Sequence, residues 1–178
     1  LKKMNSHKAD YVFILGDSKL NEIKYYDYFK KNLKGKLYFV PGNHEVKKFK
    51  DAYKKNVGYL NKVIDHDNIR FILLNSSDSK ENITSFLNDK VNTDKIVLIL
   101  THHRIWDDTL MSESSYEHDK SYYFNEIYPI LKNNVKAIFA GNSKRQHFRD
   151  LTDDMLTYGK QNVNLIYWLD KIGEIDLY

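Results

Sequence analysis

Metal-binding and proton-transferring side chains gather in four short polar segments of this sequence. The segments carry the Asp17 carboxylate, the Asn43 amide beside the His44 imidazole, the adjacent His102 and His103, and Asn142 followed by His147. Carboxylate and amide oxygens combined with imidazole nitrogens suit Mn, Fe, Zn or Mg ions. A single Gly-Asp pair is more often a turn than a ligand. It is the succession of four such segments that predicts a divalent metal site.

Each of these segments follows an apolar run with the length of a buried strand. We predict strands at 10–15, 36–40, 69–74, 95–100, 135–140 and 163–169. Between them, apolar residues recur every three or four positions, which predicts helices at 20–34, 46–56, 82–91 and 121–133. Strands that alternate with helices indicate an α/β fold, in which ligands bind beyond the carboxyl ends of the strands. The polar stretch 107–120 lacks a period and is predicted to be a surface loop.

The composition is that of one folded globular domain. Apolar residues make up 42% and charged residues 29% of the chain, and no Pro, Gly or Ser-rich linker divides it. The sequence has no cysteine, which excludes disulfides, thiolate nucleophiles and zinc–thiolate sites. Its net charge of +4 comes from scattered lysines and favours anionic partners only weakly.

Membrane insertion is not predicted. No apolar run approaches the roughly 18 to 20 residues that span a bilayer, so the chain as given is expected to be soluble. The sequence begins at Leu1 and its first residues have no apolar stretch of the signal-peptide kind. We expect a segment to precede Leu1, and export would follow if that segment were a signal. The pattern sets neither the compartment nor the oligomeric state.

The polar segments resemble the motifs of one family. GD at 16–17, GNHE at 42–45, a strand ending in HH at 102–103 and AGN at 140–142 resemble, in this order, G-D-x-x-D, G-N-H-D/E, H and G-H-x-H of the calcineurin-like metallophosphoesterases. The likeness covers almost the whole chain. It implies a layered α-β-β-α sandwich and a single domain over residues 1–178. That domain is expected to be truncated at its N-terminus, because the family's first motif, D-x-H, is missing before Ala9.

The resemblance implies a metal site made by Asp17, Asn43, His102 and Asn142. Asp17 matches the carboxylate that bridges two metals, whereas Asn43 and His102 match ligands of the second metal. Asn142 stands at the first histidine of G-H-x-H and offers an oxygen in its place. Leu20 replaces the second carboxylate of G-D-x-x-D, which leaves the first metal site unsupported. We therefore expect one divalent ion, and at most two.

Five further residues are predicted to act on the substrate. His44 matches the histidine that contacts phosphate and protonates the leaving oxygen, and Glu45 is expected to orient it. His103 is a candidate substrate contact, as is Arg104, which a solvated loop explains equally well. Lys144 stands at the second histidine of G-H-x-H, where an ammonium group would stabilise phosphate charge.

These residues predict a hydrolase of the metallophosphoesterase kind. It would cleave a phosphomonoester, as a phosphatase does, or a phosphodiester by metal-activated water, with manganese the first metal to test. The alternative is a catalytically degenerate relative that binds a phosphorylated or polyanionic ligand or a protein partner, which the loss of both G-H-x-H histidines favours. A nuclease would need a basic stripe, and we find only the local cluster Lys144, Arg145 and Arg149, so nucleic acid is not favoured.

Overall fold

The computed structural model describes residues 5–6, 9–106 and 116–142, and beyond them the backbone of four strands. The strands are β1 (Tyr11–Leu15), β2 (Lys36–Val40), β3 (Lys62–His66), β4 (Ile69–Leu74), β5 (Ile96–Thr101), β6 (Val135–Ala140), β7 (His147–Asp150), β8 (Leu156–Tyr158), β9 (Leu165–Leu169) and β10 (Gly173–Leu177). The helices are α1 (Ile23–Asn32), α2 (Asn43–Val57), α3 (Lys80–Lys90), α4 (Lys120–Tyr122) and α5 (Tyr128–Leu131), with a π-helical turn at Tyr123–Ile127 joining the last two.

The described strands form three sheets. Strands β1 and β2 pair in parallel. The largest sheet has the order β3-β4-β5-β6-β7-β8, in which β4, β5 and β6 run parallel and the flanking pairs are antiparallel. Strands β9 and β10 form a separate antiparallel pair.

Buried side chains divide the described residues into four layers. Helices α1 and α2 cover one face of the β1/β2 pair through a cluster around Tyr53. Val40 and Leu73 pack between the β1/β2 pair and the six-stranded sheet. Helix α3 and the segment 120–131 cover the far face of the six-stranded sheet, where Leu87 and Ile127 are fully buried. The order helix, sheet, sheet, helix confirms the α-β-β-α prediction.

Strand β4 shows why its sequence is apolar throughout. Ile72 and Leu74 belong to the cluster beneath helix α3, whereas Phe71 and Leu73 pack toward the β1/β2 pair. Successive side chains of a strand point to opposite faces, so a strand covered on both faces must be apolar at every position. The same reasoning applies to the central strand β5.

The structure differs from the predicted elements in several places, and β7, β8 and β10 are strands that the sequence analysis did not predict. Strand β3 escapes the sequence pattern because its residues, KVIDH, are half exposed at the sheet edge. Helix α2 starts at Asn43, earlier than predicted, because Glu45 accepts a hydrogen bond of 2.8 Å from the Gly42 N–H and closes the first turn. The segment predicted as loop 107–120 is described only from Tyr116, which is buried, and a helix begins at Lys120. Within the described residues, no helix has the length and apolarity to cross a membrane.

Tyr53 carries a buried hydroxyl whose removal should stabilise the fold. Its side chain is fully buried and its hydroxyl has no hydrogen-bond partner in the described structure. A buried hydroxyl without a partner costs free energy, so Tyr53→Phe should raise the free energy of unfolding by about 1 kcal/mol. Thermal unfolding should show this as a rise in Tm of about 2–4 °C.

Tyr122→Phe is the matched control. The Tyr122 hydroxyl donates to the Lys80 carbonyl at 2.9 Å and lies 3.0 Å from the Thr84 hydroxyl. Its removal should therefore lower the Tm. A fall in Tm for both variants would contradict the interpretation of Tyr53.

Candidate metal centre and active site

The carboxyl ends of β1 and β2 meet those of β5 and β6 at one edge of the β1/β2 pair and the six-stranded sheet. Gly16, after β1, lies so close to the His102 ring and to Gly42 that a Cβ atom on it would come within 3.0 Å of both. Gly141, after β6, would similarly collide with the Leu15 carbonyl. Gly16 also has a φ of 85°, which glycine adopts without strain. The sequence places glycine where these strand ends must touch.

A buried carboxylate, that of Glu45, holds the loop that carries Asp17. Its two oxygens accept hydrogen bonds of 2.7 to 3.1 Å from four backbone N–H groups, those of Asp17, Ser18, Leu20 and Gly42. Asp17 and Lys19 have φ values of 53° and 58°, a left-handed conformation that is unfavourable outside glycine. We predicted that Glu45 orients His44. Both of its oxygens accept hydrogen bonds from the loop that carries Asp17, and the orientation of His44 by Glu45 stays a prediction.

Asp17 and His102 face each other with two electron-rich atoms. His102 Nδ1 lies 2.7 Å from the Leu15 carbonyl oxygen, which can only accept, so Nδ1 carries a proton, and in the neutral ring Nε2 then has a lone pair. His102 Nε2 is buried, has no hydrogen bond in the described structure, and lies 3.3 Å from Asp17 Oδ2. Two such atoms repel each other at this distance unless a proton or a cation lies between them. A carbonyl bonded to the remote ring nitrogen is the usual support of a metal-binding histidine.

Asn43 provides a third donor atom. Its Oδ1 is buried without a hydrogen bond, and the residue lines the same cleft as Asp17 and His44. An unpaired buried amide oxygen costs about 1–3 kcal/mol, which a bound cation would offset. Carboxylate, imidazole and amide oxygen therefore fit a divalent ion. Among the described residues, no three His, Cys, Asp or Glu side chains are grouped so that they could hold a metal ion.

His44 lies at the exposed rim of this site. Its backbone N–H donates to Asp17 Oδ1 at 3.3 Å, its Nε2 is 3.9 Å from Asp17 Oδ2, and its side chain is 80% exposed. The ring is thus close to the predicted metal-binding carboxylate and open to solvent. This position suits a proton donor to a bound ester.

His103 is turned away from solvent into a buried polar network. Its Nδ1 lies 3.0 Å from the Ser76 hydroxyl and its Nε2 3.2 Å from Glu117 Oε2, while Glu117 Oε1 pairs with Lys47 at 2.6 Å. Burial, with added repulsion from the neighbouring His102 and Lys47, lowers the pKa of His103 to about 3. A carboxylate accepts hydrogen bonds, so His103 Nε2 carries the proton that it donates to Glu117. Its role as a substrate contact stays a prediction.

Arg104 is buried, contrary to the solvated-loop interpretation. Its side chain is 1% exposed, and its guanidinium packs against the rings of Trp106 and Tyr116 at 5.4 and 5.2 Å. These contacts hold it in the core, because a cation stacked against aromatic rings gains a favourable interaction there. A direct contact between Arg104 and substrate stays a prediction.

At three positions the sequence departs from the family motif, and these residues differ in where the structure places them. Leu20 is fully buried in the cluster with Phe39 and Tyr53, so this position is part of the core. Asn142 follows Gly141 at the end of β6, is half buried and has a φ of 56°. Lys144 lies outside the described residues, and its predicted role is untested.

The comparison with family models agrees with this geometry. A model described as calcineurin-like phosphoesterase matches residues 1–143. The chain belongs to this family. Calcineurin-like phosphoesterases generally bind divalent metals, and the matched region contains Asp17, Asn43 and His102 together with the loops that hold them. A search of curated proteins found no match to the sequence.

Sequence patterns alone miss the support around the calcineurin-like site. Ser76 lies in the polar run NSSDS after β4, so its position at a strand end is a usable signal. Glu117 and Lys47 have no such signal, since they lie 70 residues apart and meet only in the fold. The sequence also gives no indication that Glu45 binds the loop 16–20, which is more than 20 residues away.

Proposed function

We propose that this chain is a metal-dependent phosphoesterase that hydrolyses a phosphomonoester or phosphodiester at the site formed by Asp17, Asn43 and His102. The observation that carries the proposal is the pair of facing acceptor atoms, Asp17 Oδ2 and His102 Nε2, 3.3 Å apart. The unpartnered amide oxygen of Asn43 supports it. Membership of the calcineurin-like family supports the same reaction class.

Hydrolysis requires an activated water, neutralised phosphate oxygens and a proton for the leaving oxygen. A bound divalent cation would make water nucleophilic near neutral pH and would neutralise phosphate oxygens. The water oxygen forms a bond to phosphorus, the ester P–O bond breaks, and the leaving oxygen takes a proton, giving an alcohol and a phosphate. We assign the supply of that proton to His44, and its exposed ring, 3.9 Å from Asp17 Oδ2, supports the assignment. Glu45 keeps Asp17 in place by holding its loop.

The direct test is hydrolysis of p-nitrophenyl phosphate and bis(p-nitrophenyl) phosphate by full-length protein. The protein is first stripped with a chelator and then supplied with Mn²⁺, Zn²⁺ or Mg²⁺. We expect turnover to disappear on stripping and to return with at least one of these ions. Folded protein that gives no turnover with any of them would contradict the proposal.

His44→Asn should separate proton donation from other roles of this residue. An alkyl phosphate such as glycerol 2-phosphate needs a proton on its leaving oxygen, so kcat should fall about 100-fold. p-Nitrophenolate leaves without a proton, so kcat for p-nitrophenyl phosphate should fall less than about fivefold. The control is His66→Asn, at an exposed histidine in β3. Equal losses on both esters would indicate a role for His44 other than proton donation.

A non-catalytic anion-binding relative is the second candidate. The specific observation in its favour is the full burial of Leu20 where the family motif has a carboxylate. A site with only Asp17 as its carboxylate among the described donors would hold a cation weakly. This candidate would be favoured if the protein bound inorganic phosphate in the presence of Mn²⁺ but hydrolysed neither nitrophenyl ester.

A further inference from the structure

We infer that the cleft beside Asp17 selects phosphate esters whose leaving group carries a planar aromatic ring, and that Phe49 is the surface on which this ring stacks. The inference rests on the proposed function, because it assigns the substrate class of the same site. It comes from the shape of helix α2 and from the residues that this helix presents to the cleft.

The cleft has a volume of about 770 Å³ and joins the metal-binding end to helix α2. Asp17, Asn43 and His44 line it together with Lys48 and Phe49. A helix rises about 1.5 Å per residue, so Asn43 and Phe49 are separated by about 9 Å along α2. A volume of this size suits a small organic ligand. A phosphoryl group near Asn43 and a ring on Phe49 could belong to one molecule.

Phe49 is exposed although the helical pattern should bury it. Val46 and Tyr53, three residues before and four residues after Phe49, are buried on one face of α2. An undistorted helix would place Phe49 on that same face. Instead, its backbone is non-helical, with φ −131° and ψ 28°, and its side chain is 47% exposed. The kink turns an aromatic ring out of the core at the edge of the cleft.

An exposed aromatic ring at a backbone distortion beside a candidate active site indicates a ligand contact. Folding alone would favour a regular helix and a buried Phe49. Aromatic side chains stack on the flat faces of bases and other rings with little dependence on ring identity. A nucleoside phosphate and a simple aryl phosphate both carry a phosphate ester and a flat aromatic ring in one molecule. This combination fits the cleft.

The charges along the cleft match an anionic ester. Lys19, Lys47 and Lys48 line it and are exposed. Lys47 forms an ion pair with Glu117, so Lys19 and Lys48 are better placed to attract a ligand. Glu22 also lines the cleft, but its charge is paired with Lys24 at 2.8 Å. Lysines near a binding site raise the local concentration of anions.

The test compares kcat/KM for adenosine 5′-monophosphate, p-nitrophenyl phosphate and glycerol 2-phosphate in wild type, Phe49→Ala and Phe49→Tyr. We expect Phe49→Ala to lose about tenfold in kcat/KM on esters that carry a ring, and less than about twofold on glycerol 2-phosphate. Phe49→Tyr should retain the wild-type values because it keeps the ring. Phe124→Ala is the matched control, since Phe124 is 52% exposed and does not line the cleft.

The outcomes separate this inference from the proposed function. A loss on both ring-bearing esters supports stacking in general, a loss on adenosine 5′-monophosphate alone identifies nucleoside phosphates, and a loss on p-nitrophenyl phosphate alone identifies simple aryl phosphates. Equal effects on all three esters, or none, would overturn the inference and leave the phosphoesterase proposal standing. If no ester is hydrolysed, calorimetric titration with adenosine 5′-monophosphate decides. Weaker binding by Phe49→Ala supports stacking, and unchanged or undetectable binding overturns it.

Discussion

Replacing His102 with alanine is expected to lower kcat/KM for metal-dependent ester hydrolysis by at least about 100-fold. The substitution removes the buried imidazole nitrogen that lies 3.3 Å from Asp17 Oδ2. Among the described residues, no other buried ring nitrogen contacts this carboxylate. Steady-state assays with p-nitrophenyl phosphate and added Mn²⁺ measure the loss. His66→Ala, at an exposed histidine beside the amino ends of β4 and β5, should retain wild-type activity.

A second variant separates a loss of activity from a loss of folding. His102 is 2% exposed, so its removal also costs stability, whereas Asp17 has a side chain that is 31% exposed. Asp17→Asn has the same size and keeps an oxygen to accept from the His44 N–H. We expect it to unfold at the wild-type temperature and yet to lose activity as His102→Ala does. Activity within about threefold of wild type in a folded Asp17→Asn variant would rule out Asp17 as part of the catalytic site.

Replacing Glu45 with alanine is expected to lower the free energy of unfolding by about 4 kcal/mol, the largest loss of stability that we predict from one side chain. Its carboxylate is 1% exposed and accepts from four backbone N–H groups, which would all lose their partner. Each unsatisfied buried group costs about 1–3 kcal/mol, and partial access of water reduces the sum. Urea unfolding with a fixed m value measures the change.

Glu45→Gln should lie between wild type and Glu45→Ala. Glutamine keeps one accepting oxygen, but its NH₂ group faces N–H groups that need an acceptor. Glu126→Ala, at an exposed glutamate of the π-helical turn, is the control and should change stability by less than about 0.5 kcal/mol. A loss below about 1 kcal/mol for Glu45→Ala would show that the loop 16–20 does not depend on this carboxylate.

The sequence predicts the strand ends well because their determinants are local. Buried parallel strands are continuous apolar runs, and a polar segment after such a run marks its carboxyl end. Asp17, Asn43 and His102 could therefore be chosen before their positions in space were known. Glycines at 16, 42 and 141 give the same information, since each marks a point of close approach between backbones.

The supporting contacts could not be predicted because they join distant parts of the chain. His103 was a candidate substrate contact, and no sequence pattern indicated that Ser76 and Glu117 lie against its ring. Arg104 was open to a solvated-loop interpretation, yet its flat guanidinium packs against Trp106. A sequence pattern reports that a residue is polar or charged, and the tertiary partners decide whether it is buried.

Equilibrium binding of Mn²⁺ and Zn²⁺ to full-length protein, measured for wild type, Asp17→Asn, Asn43→Ala and His102→Ala, tests whether these three side chains hold a divalent ion. We expect one ion per chain in wild type, with at least about tenfold weaker binding in each variant, because each removes one donor. The absence of stoichiometric binding in folded wild-type protein, or equal affinity in all four proteins, would contradict this expectation.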